Sequence, residues 1–407
     1  MSEHTFFNTA TLKRMCIFLV VFTLSLPFIQ RRLQILPVQN LYGKEVRLEK
    51  PKFTFNSWLD GSFARQREKY FAAKLGFRGM LIKTNNQINF SLFGRITGTR
   101  GTPIVLGKND WLYESVYVGH YVNQTRLHAK NIAYFVKRVQ ELQHKLDERG
   151  IIFAFIISPS KAEIVPQFLP DEVKHKRKEK IQQNGYEQML AELQKTDIRL
   201  VDGHAFFSDL GDSEPYLFTR GGTHWSYYGS FLFVQHLLEQ LGTLSQPQVS
   251  APGLKDVTWR MPIRTDKDLA VLLNLYRFAP LDDLVPYPEV EINYQPVEKR
   301  ASVLIVGDSF SFTLADSFNQ SRTMKKIDLL YYYKRHYDYP EEDIPGYAMN
   351  HERYDRGSIN QRNLDWESLL LSKQIILLEL NETLLKKYGF GFVGDALTFL
   401  EDNPVTK

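Results

Sequence analysis

The sequence predicts an α/β fold, a parallel sheet with helices on both faces. Three observations carry that prediction. Ile132, Phe135, Val136, Val139, Leu142 and Leu146 recur at helical spacing, and Gly150 ends the run. Residues 151–157, IIFAFII, follow as a continuous apolar strand of the kind buried on both faces. A second helix over 181–193 and a strand over 198–201, ending at Asp202, complete a helix–strand–helix–strand alternation, the mark of a parallel sheet.

The stretch that organises the chain is 302–312, SVLIVGDSFSF. Residues 302–306 are mostly β-branched and apolar and read as a buried strand. Gly307 permits a tight turn, and 310–319 begins a helix. Ser309 then stands at the carboxyl edge of a sheet, where α/β folds place their sites. It also lies near a helix N-terminus, whose free N–H groups receive negative charge. This suits a nucleophile beside an oxyanion hole. In the alternative reading, Asp308 or Ser309 only caps the helix.

Composition removes several classes. With 407 residues and 43% hydrophobic content the chain can bury a large core. A net charge of +5 from scattered basic residues makes no case for nucleic acid. The single cysteine, Cys16, excludes an intramolecular disulfide and a cysteine-based zinc site, and no metal or cofactor is expected. At the N-terminus Lys13 and Arg14 precede an apolar run over 15–29, closed by Gln30, Arg31 and Arg32. Fifteen residues are few for a full span. Because Arg31-Arg32-Leu33-Gln34 is a poor cleavage site, the segment reads as an uncleaved signal anchor with the bulk of the chain outside the cytoplasm. A buried helix of a soluble domain is the other reading.

The remaining elements follow in order. Residues 1–32 are cytoplasmic tip and anchor, and 33–60 are an extended linker. The 61–407 remainder is the main domain, interrupted by an insertion at about 243–300. Residues 63–93 read as two helices around a turn at 75–78. Two short strands flank the turn at 107–110. The charge run at 174–180, KHKRKEK, reads as a solvated helix face. An apolar helix spans 231–241. The insertion holds seven of the 18 prolines and one short helix over 268–275. Strands at 327–333 and 374–380 follow the Ser309 strand, and loop plus helix closes the chain.

A serine needs a base. His224, in TRGGTHWSYYGS at 219–230, lies on a Gly-rich loop before a helix and is the candidate. His204 and His336 are its rivals. Here the residues carry a resemblance: GDSFS at 307–311 with GGTHWSYYG at 221–229 resembles the SGNH-hydrolase-like domain of the alginate O-acetyltransferase AlgX/AlgJ family. LGFRGMLI at 75–82, VLGKNDWLYE at 105–114, SPSKAEIVPQFLP at 158–170 and ELNETLL at 379–385 agree with it. The resemblance spans roughly 60–400. His224 precedes Ser309, which is the permuted block order of that family. Nothing like an appended carbohydrate-binding module follows residue 400.

The resemblance implies an SGNH-like fold and acyl transfer through Ser309, with His224 as general base. It further implies a polysaccharide acceptor, a membrane-bound O-acyltransferase partner supplying acetyl, and a domain held in the periplasm by a single-pass inner-membrane anchor. The Ser309 N–H, with Asn381, is expected to hold the oxyanion, although Asn381 reads equally as a helix cap. Trp225, Tyr228 and Lys161 are candidate substrate-binding residues. One departure stands out. The family places an aspartate two residues before the histidine, where this chain has Gly222. Asp202, at a strand end, is the candidate replacement. Two rivals stay open: a carbohydrate esterase with the same serine and histidine and water as acceptor, and an inactive polysaccharide-binding protein, which Gly222 makes credible.

Overall fold

The computed structural model describes residues 9–43, 48–96, 103–122, 126–178, 183–214, 216–293, 295–339, 353–360 and 364–404. It divides into two compact units, Met1–Pro103 with Val271–Phe278, and Ile104–Ala270 with Ala279–Lys407. The first begins with helix α1, Thr9–Leu33. Within α1, Ala10–Leu33 is apolar and long enough to cross a bilayer, and no part of its apolar stretch is buried in the protein. A signal sequence and an anchor share this property. The helix outruns the fifteen-residue apolar core at both ends, and at 1.5 Å per residue its 24 residues cover a hydrocarbon layer of about 30 Å. The linker is not wholly extended: Phe55–Leu59 forms helix α2, with Thr54 as its cap. The two helices expected next are α3, Ser62–Ala73, and α4, Arg78–Phe93. Both count with this first unit rather than with the main domain.

The second unit is the α/β body. Its strands are β1 (Ile152–Ser158), β2 (Leu200–Asp202), β3 (Ala301–Gly307), β4 (Met324–Tyr331), β5 (Arg335–Asp338), β6 (Tyr354–Ser358) and β7 (Ile375–Asn381). They form one seven-stranded sheet in the order β6-β5-β4-β3-β7-β1-β2. Five are parallel, from β4 to β2, while β5 and β6 add an antiparallel edge that the sequence did not announce. From β1 the chain moves outward to β2, and from β3 it moves the opposite way to β4. The switch point is therefore beside β3, above its carboxyl end.

Period-2 alternation sends the side chains of the central strands to two cores. Ala154, Ile156, Val303, Ile305 and Leu377 join one core, with Phe233, Val234 and Leu237 of α8 (Tyr227–Leu241) and Leu314 and Phe318 of α10 (Ser311–Ser321). Phe153, Phe155, Leu304, Val306 and Leu378 join the other. There they meet Phe135, Val139 and Leu142 of α5 (Ala129–Asp147), Met189 and Leu193 of α6 (Gly185–Leu193), and Ala396 and Leu397 of α11 (Phe392–Asp402). Burial on both faces explains why β1 and β3 read as unbroken apolar runs. Residues 179–180 of the charge run and 181–182 of the expected second helix lie outside the described residues; Lys174 to Arg177 belong to the helix Asp171–Lys178.

The 243–300 insertion holds an antiparallel hairpin, Leu254–Arg260 with Val285–Val290, and helix α9, Asp268–Leu272. Two further elements position the site. Helix α7, Gly203–Leu210, follows β2, and a small hairpin pairs Ile104–Leu106 with Leu112–Glu114.

Candidate active site

Ser309 lies in the turn between β3 and α10, half-buried where its neighbours are buried. The turn is fixed by Asp308. One carboxylate oxygen of Asp308 accepts from the Phe310 N–H (3.0 Å) and the other from the Asn381 N–H (2.7 Å). The Asp308 N–H donates to Glu379 on β7 (3.0 Å), which also accepts from the hydroxyls of Ser311 (2.8 Å) and Ser158 (2.6 Å). Burial pushes both carboxyls up, Glu379 well above the carboxylate range. Burial is the main cause for Glu379, and the neighbouring Asp308 charge adds to it.

His224 reaches this turn from the loop before α8. Its Nε2 lies 2.7 Å from Ser309 Oγ, and its Nδ1 lies 2.7 Å from Asp268 Oδ2. Asp268 Oδ1 accepts from the Thr223 N–H at 2.8 Å, which fixes the carboxylate plane. With an anionic acceptor on Nδ1, the neutral ring keeps its proton there and presents the Nε2 lone pair to Ser309. Burial lowers the His224 pKa, but the Asp268 charge and hydrogen bond, with Asp308 and Glu114 behind them, outweigh burial and raise it. The His224 and Ser309 loops are also joined one residue on: Trp225 is fully buried, donates to Thr313 Oγ1 and packs edge-on against Phe310.

The carboxylate against His224 is that of Asp268, not that of Asp202. Asp202 ends β2 and caps α7, accepting from the Ala205 N–H (3.1 Å) and from the Tyr186 hydroxyl (2.7 Å). The reason for the exchange lies at Gly222. A Cβ there would stand 2.4 Å from the Thr265 carbonyl oxygen and 2.8 Å from Thr219 Oγ1. The insertion backbone occupies the space that a side chain at 222 needs, and three residues later the same segment delivers Asp268. Sequence reading missed Asp268 because nothing local ties it to the histidine motif. The available signal was its place as the first residue of the one helix foreseen in the insertion.

Asn381 does not face the nucleophile. Its side-chain N–H groups donate to the Pro159 (3.0 Å) and Ser158 (3.3 Å) carbonyls, and its Oδ1 accepts from Thr383 (3.1 Å to the N–H). It is a cap, and its backbone serves Asp308. Besides His224, Tyr332 from the turn after β4 lies against Ser309. His204 is engaged by Glu382 and His336 by Asp328, each at 2.7 Å.

Two of the expected substrate contacts are structural. Trp225 is core, as above. Lys161 is wholly buried, and its Nζ lies within hydrogen-bond distance of the carbonyls of Leu112 (2.7 Å), Thr219 (2.6 Å), Arg220 (3.1 Å) and Gly222 (2.7 Å), sharing its donors among them. The Trp111 ring lies 4.8 Å away. Lys161 thus clamps the loop that carries His224. Lys161→Met leaves those carbonyls without their donor, at about 1–3 kcal/mol for a buried orphan. A loss of about 1–3 kcal/mol is expected in urea denaturation. Tyr228 alone of the three is partly exposed, with its hydroxyl on Glu214.

Over residues 104–324 the chain matches the family described as SGNH hydrolase-like domain, acetyltransferase AlgX. Among solved structures it is similar to the O-acetyltransferase domain of Pseudomonas putida AlgJ, with 17% identity, 70% of this chain and 92% of that one covered, and a TM-score of 0.43. Bacillus cereus PatB1 gives 14%, 71%, 99% and 0.41, and Pseudomonas aeruginosa AlgX gives 15%, 72%, 67% and 0.43. No curated protein matches.

Proposed function

The chain belongs to the AlgX family of SGNH hydrolase-like acetyltransferase domains, and from that premise we propose that it moves an acetyl group through Ser309 onto hydroxyls of an exported polysaccharide. The observation that carries the reading is the unbroken line Asp268–His224–Ser309, with 2.7 Å at each junction. Ser309 Oγ attacks the donor carbonyl while His224 Nε2 takes its proton. The tetrahedral oxyanion forms at the turn, within reach of the Ser309 N–H and the Tyr332 hydroxyl. The intermediate collapses, His224 returns the proton to the leaving group, and an acetyl ester remains on Ser309. A sugar hydroxyl then attacks that ester with His224 again as base, so the acetyl moves to the sugar and Ser309 recovers its proton.

An orienting acid on His224 supports catalysis over binding alone, because Gly222 was the one reason to expect an inactive site. Transfer rather than hydrolysis is the family's reaction, and the acceptor decides it. An apolar helix at the N-terminus is consistent with an extracytoplasmic domain, supplied with acetyl by a membrane-bound O-acyltransferase. The test is intact-mass analysis after incubation with an activated acetyl ester. A single acetyl adduct that a polysaccharide acceptor discharges faster than water supports the reading. Folded protein with no adduct overturns it, and discharge by water alone makes it an esterase.

The raised His224 pKa sets the pH dependence. Only the neutral ring accepts the serine proton, so acylation is expected to rise with pH through a value above the 6.5 of an unperturbed histidine. Asp268→Asn removes the leading raising influence and leaves burial, which lowers the pKa. The inflection of any residual acylation should then move down in a pH–rate profile.

A further inference from the structure

Helix α1 leaves its apolar stretch through Arg31 and Arg32. Within the first unit the turn between α3 and α4 sits on that end of the helix. The Gly76 backbone is so close that a Cβ would come within 2.2 Å of the Pro27 carbonyl oxygen and 2.9 Å of the Arg31 nitrogen. Gly79 packs likewise on the Gln39 carbonyl, at 2.1 Å. Gln30 ties down the chain that follows α1, donating to the Leu36 carbonyl (2.6 Å) and accepting from the Leu36 N–H (3.1 Å). A cavity of about 310 Å³ remains among these pieces. Arg31, Lys74 and Arg78 line it with Gln30, Gln39 and Met80, and no acidic residue does. Among the described residues none of the three cations has an ion pair, and Gln39 Oε1 is buried without a hydrogen-bond partner.

The surface of the same unit is unusual for water. Phe53, Phe55, Trp58, Leu59 and Phe71 are exposed around α2 and α3. Cations cover several rings: Arg67 lies 5.0 Å from the Phe71 ring and Lys74 lies 4.7 Å from Tyr70. Residues 48–78 hold seven basic and three acidic side chains, nearly the whole of the chain's +5. Aromatic rings interleaved with Lys and Arg, next to the end of an apolar helix, fit the head-group layer of a bilayer. Three cations lining one cavity with no acid among them, Lys74 also bonded to the Tyr70 hydroxyl, fit a phosphate.

We infer that the first unit lies on the membrane surface, with the Arg31–Lys74–Arg78 cavity holding the phosphate of an anionic phospholipid head group and the Phe55–Trp58 face set among its neighbours. The inference rests on α1 being retained as a membrane span. The test uses the full chain in phosphatidylglycerol nanodiscs. Native mass spectra are expected to show a retained phosphatidylglycerol, held about tenfold less by the triple variant Arg31→Gln, Lys74→Gln, Arg78→Gln. A circular-dichroism melt matching that of the parent chain, together with Ser309 acylation, shows that the variant is folded. Trp58 emission, taken as the difference from Trp58→Phe, should be quenched by lipids brominated near the head group. Equal lipid retention by the triple variant, or unquenched Trp58, overturns the proposal. Displacement of the lipid by inorganic phosphate also overturns it and assigns the cavity to a soluble anion. Release of the chain by alkaline carbonate would instead overturn the anchor on which the proposal stands.

Discussion

Ser309→Ala is expected to remove the acetyl adduct and lower transfer by about 10⁶-fold, the scale seen when a hydrolase loses its nucleophile. The Ser309 side chain meets His224 and Tyr332 and takes no part in holding the turn. The turn itself is held by Asp308, Glu379 and the N–H groups of Phe310 and Asn381. Removing the hydroxyl should therefore cost no more than about 1 kcal/mol of stability. Intact mass after incubation with an activated acetyl ester, paired with a melting curve, reads both quantities. An adduct that persists on the alanine variant would move the nucleophile elsewhere.

Asp268→Asn is expected to lower the rate by about 10⁴-fold with the fold intact, because an amide no longer holds the imidazole in its productive tautomer. Asp202→Asn should leave the rate within a few-fold, since Asp202 serves Ala205 and Tyr186 and has no contact with the base. The contrast between the two variants tests which carboxylate orients His224. A third variant sharpens it. Gly222→Asp restores the family's pattern, yet its Cβ would stand 2.4 Å from the Thr265 carbonyl, so it should destabilise the chain and fail to rescue Asp268→Asn. Rescue would return the acid to the histidine loop. Single-turnover acylation rates measure all three.

What could be read from the sequence was local. The strands β1 and β3 read as apolar runs, and β7 opens on one, because both of their faces are covered, and such runs stand out in any window. Ser309 and His224 were legible because each sits in a short motif whose neighbours constrain it. Trp225 after the histidine and Phe310 after the serine pack together and lock the two loops. What was not legible depends on distance along the chain. Asp268 is 44 residues from His224, and only the folded insertion brings it there. Strands β5 and β6 are short and half-exposed at an edge, so neither alternation nor hydrophobic content marks them. Lys161 was misread as a substrate contact because a lysine beside a strand end is ordinarily solvated, and the four carbonyls that bury it come from two other segments.

On the proposed mechanism, the entry of Asp268 from the insertion would make activity conditional on a segment that the sheet does not need. The two cores behind the strands close without α9. A local opening of that segment would cost less than global unfolding and would leave the nucleophile and base in place without their acid. Heat should then silence the enzyme before it melts. The temperature of half-inactivation would fall below the calorimetric midpoint, activity would return on cooling, and a crosslink pinning the hairpin at Leu254–Arg260 would draw the two temperatures together.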